Sequence, residues 1–274
     1  MIKKLLKAFK TIRVKKAQPL HIEFNLTDAC NLNCKCCSHY SPLAPREFEP
    51  LDELEFSMKK ISSARNVELI KGVYLIGGET LLFPQLKEAI LMAKKYFPKA
   101  KLSIFTNGLL LPRMDDDFWK ICKSNDVEIA LTRYPVKFDY DKAEALCREK
   151  GVTLTVFDDR NNDDSFFRFP LDPEKKQNGR ISHFKCISYG CITVDHGKIF
   201  PCSQAACVGH LNRTFGSDFK WEPGDYIEVD KLEDVKQIEK LRSHPVPFCN
   251  YCAPKETIRH GLSRREPSEW ILER

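Results

Sequence analysis

Nowhere in the 274 residues does an apolar run approach the length needed to cross a bilayer, which excludes a membrane-spanning helix. An export signal is missing as well, since residues 1–16 are basic but lack both an unbroken apolar stretch and a small-residue cleavage site. Internal repeats and low-complexity tracts are absent, so solenoid and compositionally disordered architectures drop out. Acids are absent from the first sixteen residues, where Lys3, Lys4, Lys7, Lys10, Arg13, Lys15 and Lys16 supply seven positive charges. The formal net charge of +6 is therefore local, and the remaining chain is near −1. That balance argues against a nucleic-acid enzyme, whose basic surface should come from the folded body too.

What is abundant is cysteine, with twelve in the chain. Disulfide-dense proteins are mostly small and secreted, and this chain is neither short nor provided with a leader. Reduced, clustered cysteines in a cytoplasmic protein point instead to metal. Residues 1–17 form a basic amphipathic segment with Ile2, Leu5, Leu6, Phe9 and Ile12 on one helical face. Two readings stand: a terminal helix packed on the body, or a helix making peripheral contact with an anionic inner membrane face.

Strand and helix patterns then alternate. Residues 20–26 read as a strand, 51–66 as a helix, 72–78 as a buried strand and 84–97 as a helix opened by proline. Strands at 101–106, 127–132 and 152–157 alternate with helices at 115–125 and 139–151. Such units imply a parallel sheet with helical crossovers. Five strands are too few for a full eight-unit barrel. Function in these folds gathers on loops at the C-terminal strand ends. Beyond residue 160 the pattern becomes irregular, with a small hairpin over 191–202 turning near His196-Gly197 and a helix over 231–244.

The first strand runs into NLTDACNLNCKCCSHY, with Cys30, Cys34 and Cys37 at the spacing C-x3-C-x2-C. A 4Fe–4S cube normally takes four thiolates, so three at a tight spacing leave one iron open to another ligand. Gly77-Gly78-Glu79 follows the second strand, where paired glycines allow close backbone approach and the glutamate adds an acceptor. Zinc on the three cysteines plus His39 is the competing reading, but it leaves the glycine–glutamate turn without a purpose.

These two motifs, in this order and strand context, resemble those of the radical SAM enzymes. The resemblance implies that Cys30, Cys34 and Cys37 hold a 4Fe–4S cluster whose open iron is chelated by S-adenosylmethionine (SAM). Reductive cleavage of SAM then gives a 5′-deoxyadenosyl radical that abstracts hydrogen from a substrate. Gly77, Gly78 and Glu79 would hold the methionyl moiety, Glu79 as acceptor for its ammonium group. Thr106 and Asn107 would meet the ribose or carboxylate, and Thr132 and Arg133 end the next strand, with Arg133 a carboxylate partner. The position before the last cysteine, commonly aromatic in the family, is Cys36 here. Tyr40 or His39 would supply that surface, and Cys36 is an alternative ligand. The reductant implied is a flavodoxin or ferredoxin.

Cys186, Cys202, Cys249 and Cys252 resemble the ligands of the auxiliary-cluster domains called twitch and SPASM, the shorter twitch form fitting better. Within that class the spacing is close to that of an alcohol-oxidising dehydrogenase. They imply a second, auxiliary 4Fe–4S cluster; a structural zinc on the same four thiols stays open. Cys191 and Cys207 are candidate substitute ligands, buried structural thiols or hydrogen-atom donors, and Cys122 and Cys147 read as core residues. The expected fold is α/β, a partial (β/α)6 TIM-type barrel over 18–180 with a small C-terminal auxiliary-cluster domain over 181–274. The expected reaction is hydrogen abstraction from a small-molecule or glycan substrate that is polyhydroxylated, with oxidation or epimerisation as outcome. A peptide-modifying enzyme is the main rival, and a non-catalytic iron–sulfur protein the third class.

Overall fold

The computed structural model describes residues 19–157 and 165–273. The basic segment over residues 1–17 lies outside the described residues. Strand β1 (Leu20–Asn25) leads through the cysteine loop to α1 (Leu51–Ser62), then come β2 (Ile70–Ile76), α2 (Leu86–Tyr96), β3 (Lys101–Thr106), α3 (Asp116–Ser124), β4 (Val127–Thr132), α4 (Tyr140–Lys150) and β5 (Thr153–Phe157). The remainder holds β6 (Ser165–Arg168), α5 (Gly179–Lys185), β7 (Ile192–Asp195), β8 (Lys198–Phe200), α6 (Ser203–Ala206), α7 (Gly209–Phe215), β9 (Ile227–Glu228), α8 (Lys236–Ser243) and β10 (Glu256–Arg259).

Local chemistry explains the helices. In α1, Leu54, Met58 and Ile61 form the buried stripe, with Asp52 and Glu53 in the first turn and Lys59 and Lys60 in the last, as the helix dipole favours. The Asp115 carboxylate caps α3 by accepting from Phe118 N at 2.7 Å. Helix α4 ends on Gly151 in the left-handed conformation, with φ 68°.

Strands β1 to β5 are all parallel in the order β5-β4-β3-β2-β1, and the sheet continues through β7, β8 and β9. This is the α/β parallel-sheet architecture of a partial TIM-type barrel. The sixth parallel strand, β7, pairs with β1 rather than following β5. The 191–202 hairpin forms as expected from β7 and β8. It also continues the barrel sheet, through the pairing of β7 with β1. Main-chain pairing decides this, since β1 needs a hydrogen-bonded neighbour on its outer edge. Strands β6 and β10 form a separate antiparallel pair.

Alternation along β1 sets the site. Leu20, Ile22 and Phe24 are buried against the helices, while His21, Glu23 and Asn25 take the other face. On neighbouring strands that inner face carries Tyr74, Phe105 and Phe157, with ring centroids 4.9 and 5.6 Å apart in sequence, and His21 Nδ1 lies 2.6 Å from the Tyr74 hydroxyl. Glu128 accepts from Lys101 at 2.7 Å, Ser103 at 2.6 Å and Thr155 at 2.6 Å, which satisfies an otherwise costly inward carboxylate. Among the described residues no helix is long and apolar enough to cross a membrane.

Candidate active site

A cavity of about 340 Å³ opens at the C-terminal edge of the parallel strands. Cys30, Cys34 and Cys37 line it together with Gly77, Gly78, Thr106, Asn107 and Thr132, so five of the sequence-designated positions converge with the three thiols on one space. Cys36 is turned away by its own left-handed backbone (φ 60°) and is buried, within the electrostatic reach of Glu269. It does not line the cavity.

The paired glycines are explained by backbone crowding. A Cβ on Gly77 would sit 2.3 Å from Thr27 O, and one on Gly78 would sit 2.4 Å from Ala29 O. Both glycines therefore let the β2 turn press onto the start of the cysteine loop. Gly78 N donates to Thr27 O at 2.7 Å and Glu79 N to Ala29 O at 2.9 Å.

Glu79 is tied into the fold by hydrogen bonds of its own. Its carboxylate is 1% exposed and does not line the cavity. One oxygen accepts from Thr106 Oγ1 at 2.6 Å and Leu81 N at 3.0 Å, the other from Asn107 N at 2.8 Å. Three donors take most of its acceptor sites, so Glu79 ties the β2 end to the β3 end. Asn107 Nδ2 in turn donates to Asn31 Oδ1 at 2.7 Å, fixing the cysteine loop to β3. Burial pushes the Glu79 carboxyl up, against those hydrogen bonds.

The cysteine loop is strapped from outside by the C-terminal segment. Cys34 bridges to Leu262, His260 Nε2 lies 3.3 Å from Cys34 Sγ, and Trp270 Nε1 donates to Cys37 O at 2.9 Å. Burial pushes Cys30 up to about 12 and Cys34 higher still, with the thiols raising one another. Cys37, although burial opposes it, is lowered by the hydrogen bond and charge of His39. Raised thiols hold their protons until a cationic centre displaces them on binding. The donor set fits the cluster implied by the motif.

Two other expectations are corrected. Tyr40 is fully buried and packs edge-on against Trp270 with centroids 6.3 Å apart, because its φ of 55° throws the ring into the core. His39 takes the cavity wall instead. Arg133 is drawn to the α4 carboxylates, hydrogen-bonding Glu144 through Nε at 2.8 Å and Asp141 at 2.8 Å, and it does not line the main cavity. Only a neighbouring chamber of about 300 Å³, which shares Phe105, Tyr134 and Phe166 with the first, touches it.

Cys191 and Cys207 separate clearly. Cys191 lines the main cavity and its thiol hydrogen-bonds the Glu23 carboxylate. Cys207 is 3% exposed and lies 3.8 Å from Asp28 Oδ1, in a network where His210 Nε2 is 2.7 Å from Asp28 Oδ2. It does not line the cavity. Glu23 is the residue that sequence reading passed over; burial pushes its carboxyl up to about 7. Its signal was present in the polar alternation His21, Glu23, Asn25 along an otherwise apolar strand.

Cys186, Cys202, Cys249 and Cys252 bound a second, smaller cavity, and Ser188 lines both this one and the main one. Burial pushes Cys249 up to about 11 and raises Cys202 and Cys252 further. Cys122 and Cys147 are core residues, each fully buried.

Comparison with known proteins agrees with this geometry. Residues 24–153 match the description of the Radical SAM superfamily. The chain is 35% identical over 132 residues to GTP 3',8-cyclase of Helicobacter pylori (strain HPAG1), covering 47% of this chain and 37% of that one. It is 34% identical over 135 residues to GTP 3',8-cyclase of Chlorobaculum tepidum, covering 49% and 36%. The chain thus spans little more than a third of the length of these curated relatives. Over most of its length the fold is similar to the crystal structure of BtrN in complex with AdoMet and 2-DOIA, with TM-score 0.53 and 15% identity, covering 86% of this chain and 93% of that one. Cysteine loop, glycine turn and parallel sheet all fall within, or close around, the residues 24–153 that match the Radical SAM superfamily.

Proposed function

We propose that this protein cleaves SAM reductively and abstracts hydrogen from a small polyhydroxylated, carbohydrate-like substrate, with oxidation or epimerisation as the outcome. The observation that carries the proposal is one cavity with the three thiols and the glycine turn on one side and the Cys191–Glu23 pair on another. Cys30, Cys34 and Cys37 would hold a 4Fe–4S cluster, which supplies the electron that breaks the sulfonium C–S bond.

The remaining wall suits the substrate class. Ser38, His39, Ser41, Ser188 and Ser203 offer hydroxyl and imidazole partners, and Phe105, Phe166 and Phe167 offer flat apolar faces for a sugar-like ring. Glu23, pushed up to about 7, accepts a proton from a substrate hydroxyl once it is ionised. Cys191 keeps its S–H because burial and the Glu23 charge raise it, which favours hydrogen-atom donation over thiolate chemistry. The GTP 3',8-cyclases match less than half of this chain, so their substrate is not carried over.

For Cys186, Cys202, Cys249 and Cys252 we propose a second 4Fe–4S cluster in a twitch-like arrangement. Tetrahedral zinc at a Zn–S distance of about 2.3 Å needs sulfurs about 3.8 Å apart. Among the described residues, no three cysteine Sγ atoms lie within 4.8 Å of one another.

Anaerobic reconstitution with iron and sulfide, then reduction in the presence of SAM, tests both parts. About eight irons per chain and release of 5′-deoxyadenosine are expected. About four irons with one zinc would remove the second cluster. No SAM cleavage would remove the function.

A further inference from the structure

Each loop thiol meets a nitrogen group, and the three differ in origin. Cys30 Sγ accepts from Leu32 N at 3.3 Å. Cys37 is hydrogen-bonded by the His39 side chain. Both partners lie two residues from their cysteine, so the loop provides them itself. Cys34 is served from far away: His260 Nε2, at 3.3 Å from Cys34 Sγ, lies 226 residues further along the chain. Contacts on either side hold His260 there. Ahead of it β10 pairs with β6, with Ile258 opposite Phe166. Behind it the chain bonds both neighbours of Cys34, Lys35 N donating to Gly261 O at 2.8 Å and Ser263 N donating to Asn33 O at 2.8 Å. The imidazole itself packs against Tyr134, with ring centroids 5.7 Å apart, and edge-on against Phe166 at 5.3 Å. Backbone pairing and two aromatic contacts together fix the ring beside Cys34.

We propose that His260 is a positioning residue for the redox centre, donating Nε2–H to the Cys34 thiolate and so raising the reduction potential of the cluster held there. The inference rests on the reading that the three thiols hold a 4Fe–4S cluster. A ligating thiolate carries no proton and can only accept, so the 3.3 Å contact selects the tautomer with the proton on Nε2. Hydrogen bonds to cluster sulfurs are among the protein's means of setting such a potential. The direction follows from charge. Reduction adds an electron that the sulfurs share, and a hydrogen bond strengthens as its acceptor gains negative charge. The donor therefore stabilises the reduced form more than the oxidised one. His260 lines the neighbouring chamber of about 300 Å³ and not the main cavity. Its effect on potential is thus separable from ligand binding in the main cavity.

The test is a dye-mediated redox titration of the reconstituted full chain without SAM, followed by electron paramagnetic resonance. The loop-bound cluster is the component absent from the Cys30→Ala/Cys34→Ala/Cys37→Ala variant. His260→Phe keeps a ring between Tyr134 and Phe166 but removes the donor. It is expected to shift the equilibrium about tenfold toward the oxidised cluster, which is a potential lower by about 59 mV for one electron. His260→Gln retains an N–H donor on a side chain of similar reach, and its equilibrium should stay within about threefold of wild type. His244→Gln, at an exposed histidine that bonds Ser243 and Lys240, should match wild type. An unshifted or raised potential in His260→Phe, equal shifts in the Phe and Gln variants, or an equal shift in the His244 control would each overturn the proposal. Should His260→Phe assemble no loop-bound cluster, His260→Gln decides. Assembly at the wild-type potential then supports the donor role, and failure to assemble assigns His260 to packing alone. A wild-type spectrum with no component lost in the triple cysteine variant would remove the cluster reading itself, whereas an unshifted His260→Phe removes only the tuning role.

Discussion

Substituting Gly78 by alanine isolates the contact on which the site geometry depends. The added methyl would lie 2.4 Å from Ala29 O, 2.6 Å from Asp28 O and 2.7 Å from Ala29 C, all backbone atoms that cannot swing aside. Relief to an ordinary contact of about 3.2 Å needs a separation of about 0.8 Å between the β2 turn and the cysteine loop. The hydrogen bonds from Gly78 N at 2.7 Å and Glu79 N at 2.9 Å span that same gap, so both stretch beyond useful length. Overpacking of this kind costs about 1–3 kcal/mol, and two weakened hydrogen bonds add about 1 kcal/mol each. Function should suffer more than stability, because a displacement near 1 Å in a positioned site costs about a hundredfold. The expected result is a urea midpoint lowered by an amount equivalent to about 3–5 kcal/mol and a severe loss of SAM affinity in the reconstituted protein. Gly209→Ala is the control. Its Cβ would meet nothing within 4 Å at the start of α7, so it should be neutral or stabilising by up to about 1 kcal/mol. Wild-type SAM affinity and stability in Gly78→Ala would refute the crowding argument.

Four other outcomes follow from the same structure. Arg133→Ala should leave SAM affinity unchanged within about twofold, because the guanidinium serves Glu144 and Asp141; a large loss would restore the sequence-based role. Glu23→Gln should abolish the limb of the pH–rate profile that rises through about 7 as the carboxyl ionises, and a limb that persists would assign the base elsewhere. Cys191→Ala should still yield 5′-deoxyadenosine but no product that takes up solvent deuterium, if the outcome is epimerisation, while Cys207→Ala should behave as wild type. The His196–Glu49 ion pair, at 2.9 Å, raises His196 from 6.5 to about 9. Its folded pKa is the higher one, so its contribution is complete below about 6.5 and disappears as pH rises through about 9. With the imidazole largely solvated the effect is at most about 1 kcal/mol after screening, and urea midpoints at about pH 6 and pH 10 should converge in His196→Gln.

The thiol loop and the glycine turn were legible because each is contiguous and each closes a strand with a clear apolar pattern. The strand–helix order was legible for the same reason, since α1 to α4 carry their stripes and caps within a few residues. Long-range placement was not. Glu79 looked like a ligand acceptor because its three donors come from Leu81, Thr106 and Asn107, two of them across the next strand. Arg133 looked free because nothing in the sequence says where α4 docks Asp141 and Glu144. A left-handed backbone at Tyr40 exchanged it with His39, and no residue type announces that conformation outside glycine and asparagine. Strands β6 and β10 lie nearly ninety residues apart, and β7 joins β1 across most of the chain, so neither pairing has a local signature. Glu23 was visible in principle as a charged residue at an inner position of a buried strand.

Electron paramagnetic resonance of the reduced, reconstituted protein tests the central claim most directly. A reduced-cluster signal should change when SAM is added, because one iron of the loop-bound cluster is open to it, and that SAM-sensitive component should vanish in the Cys30→Ala/Cys34→Ala/Cys37→Ala variant while the Cys186–Cys252 component remains. A spectrum indifferent to SAM, or a SAM-sensitive signal that survives in the triple variant, would contradict the assignment of the site.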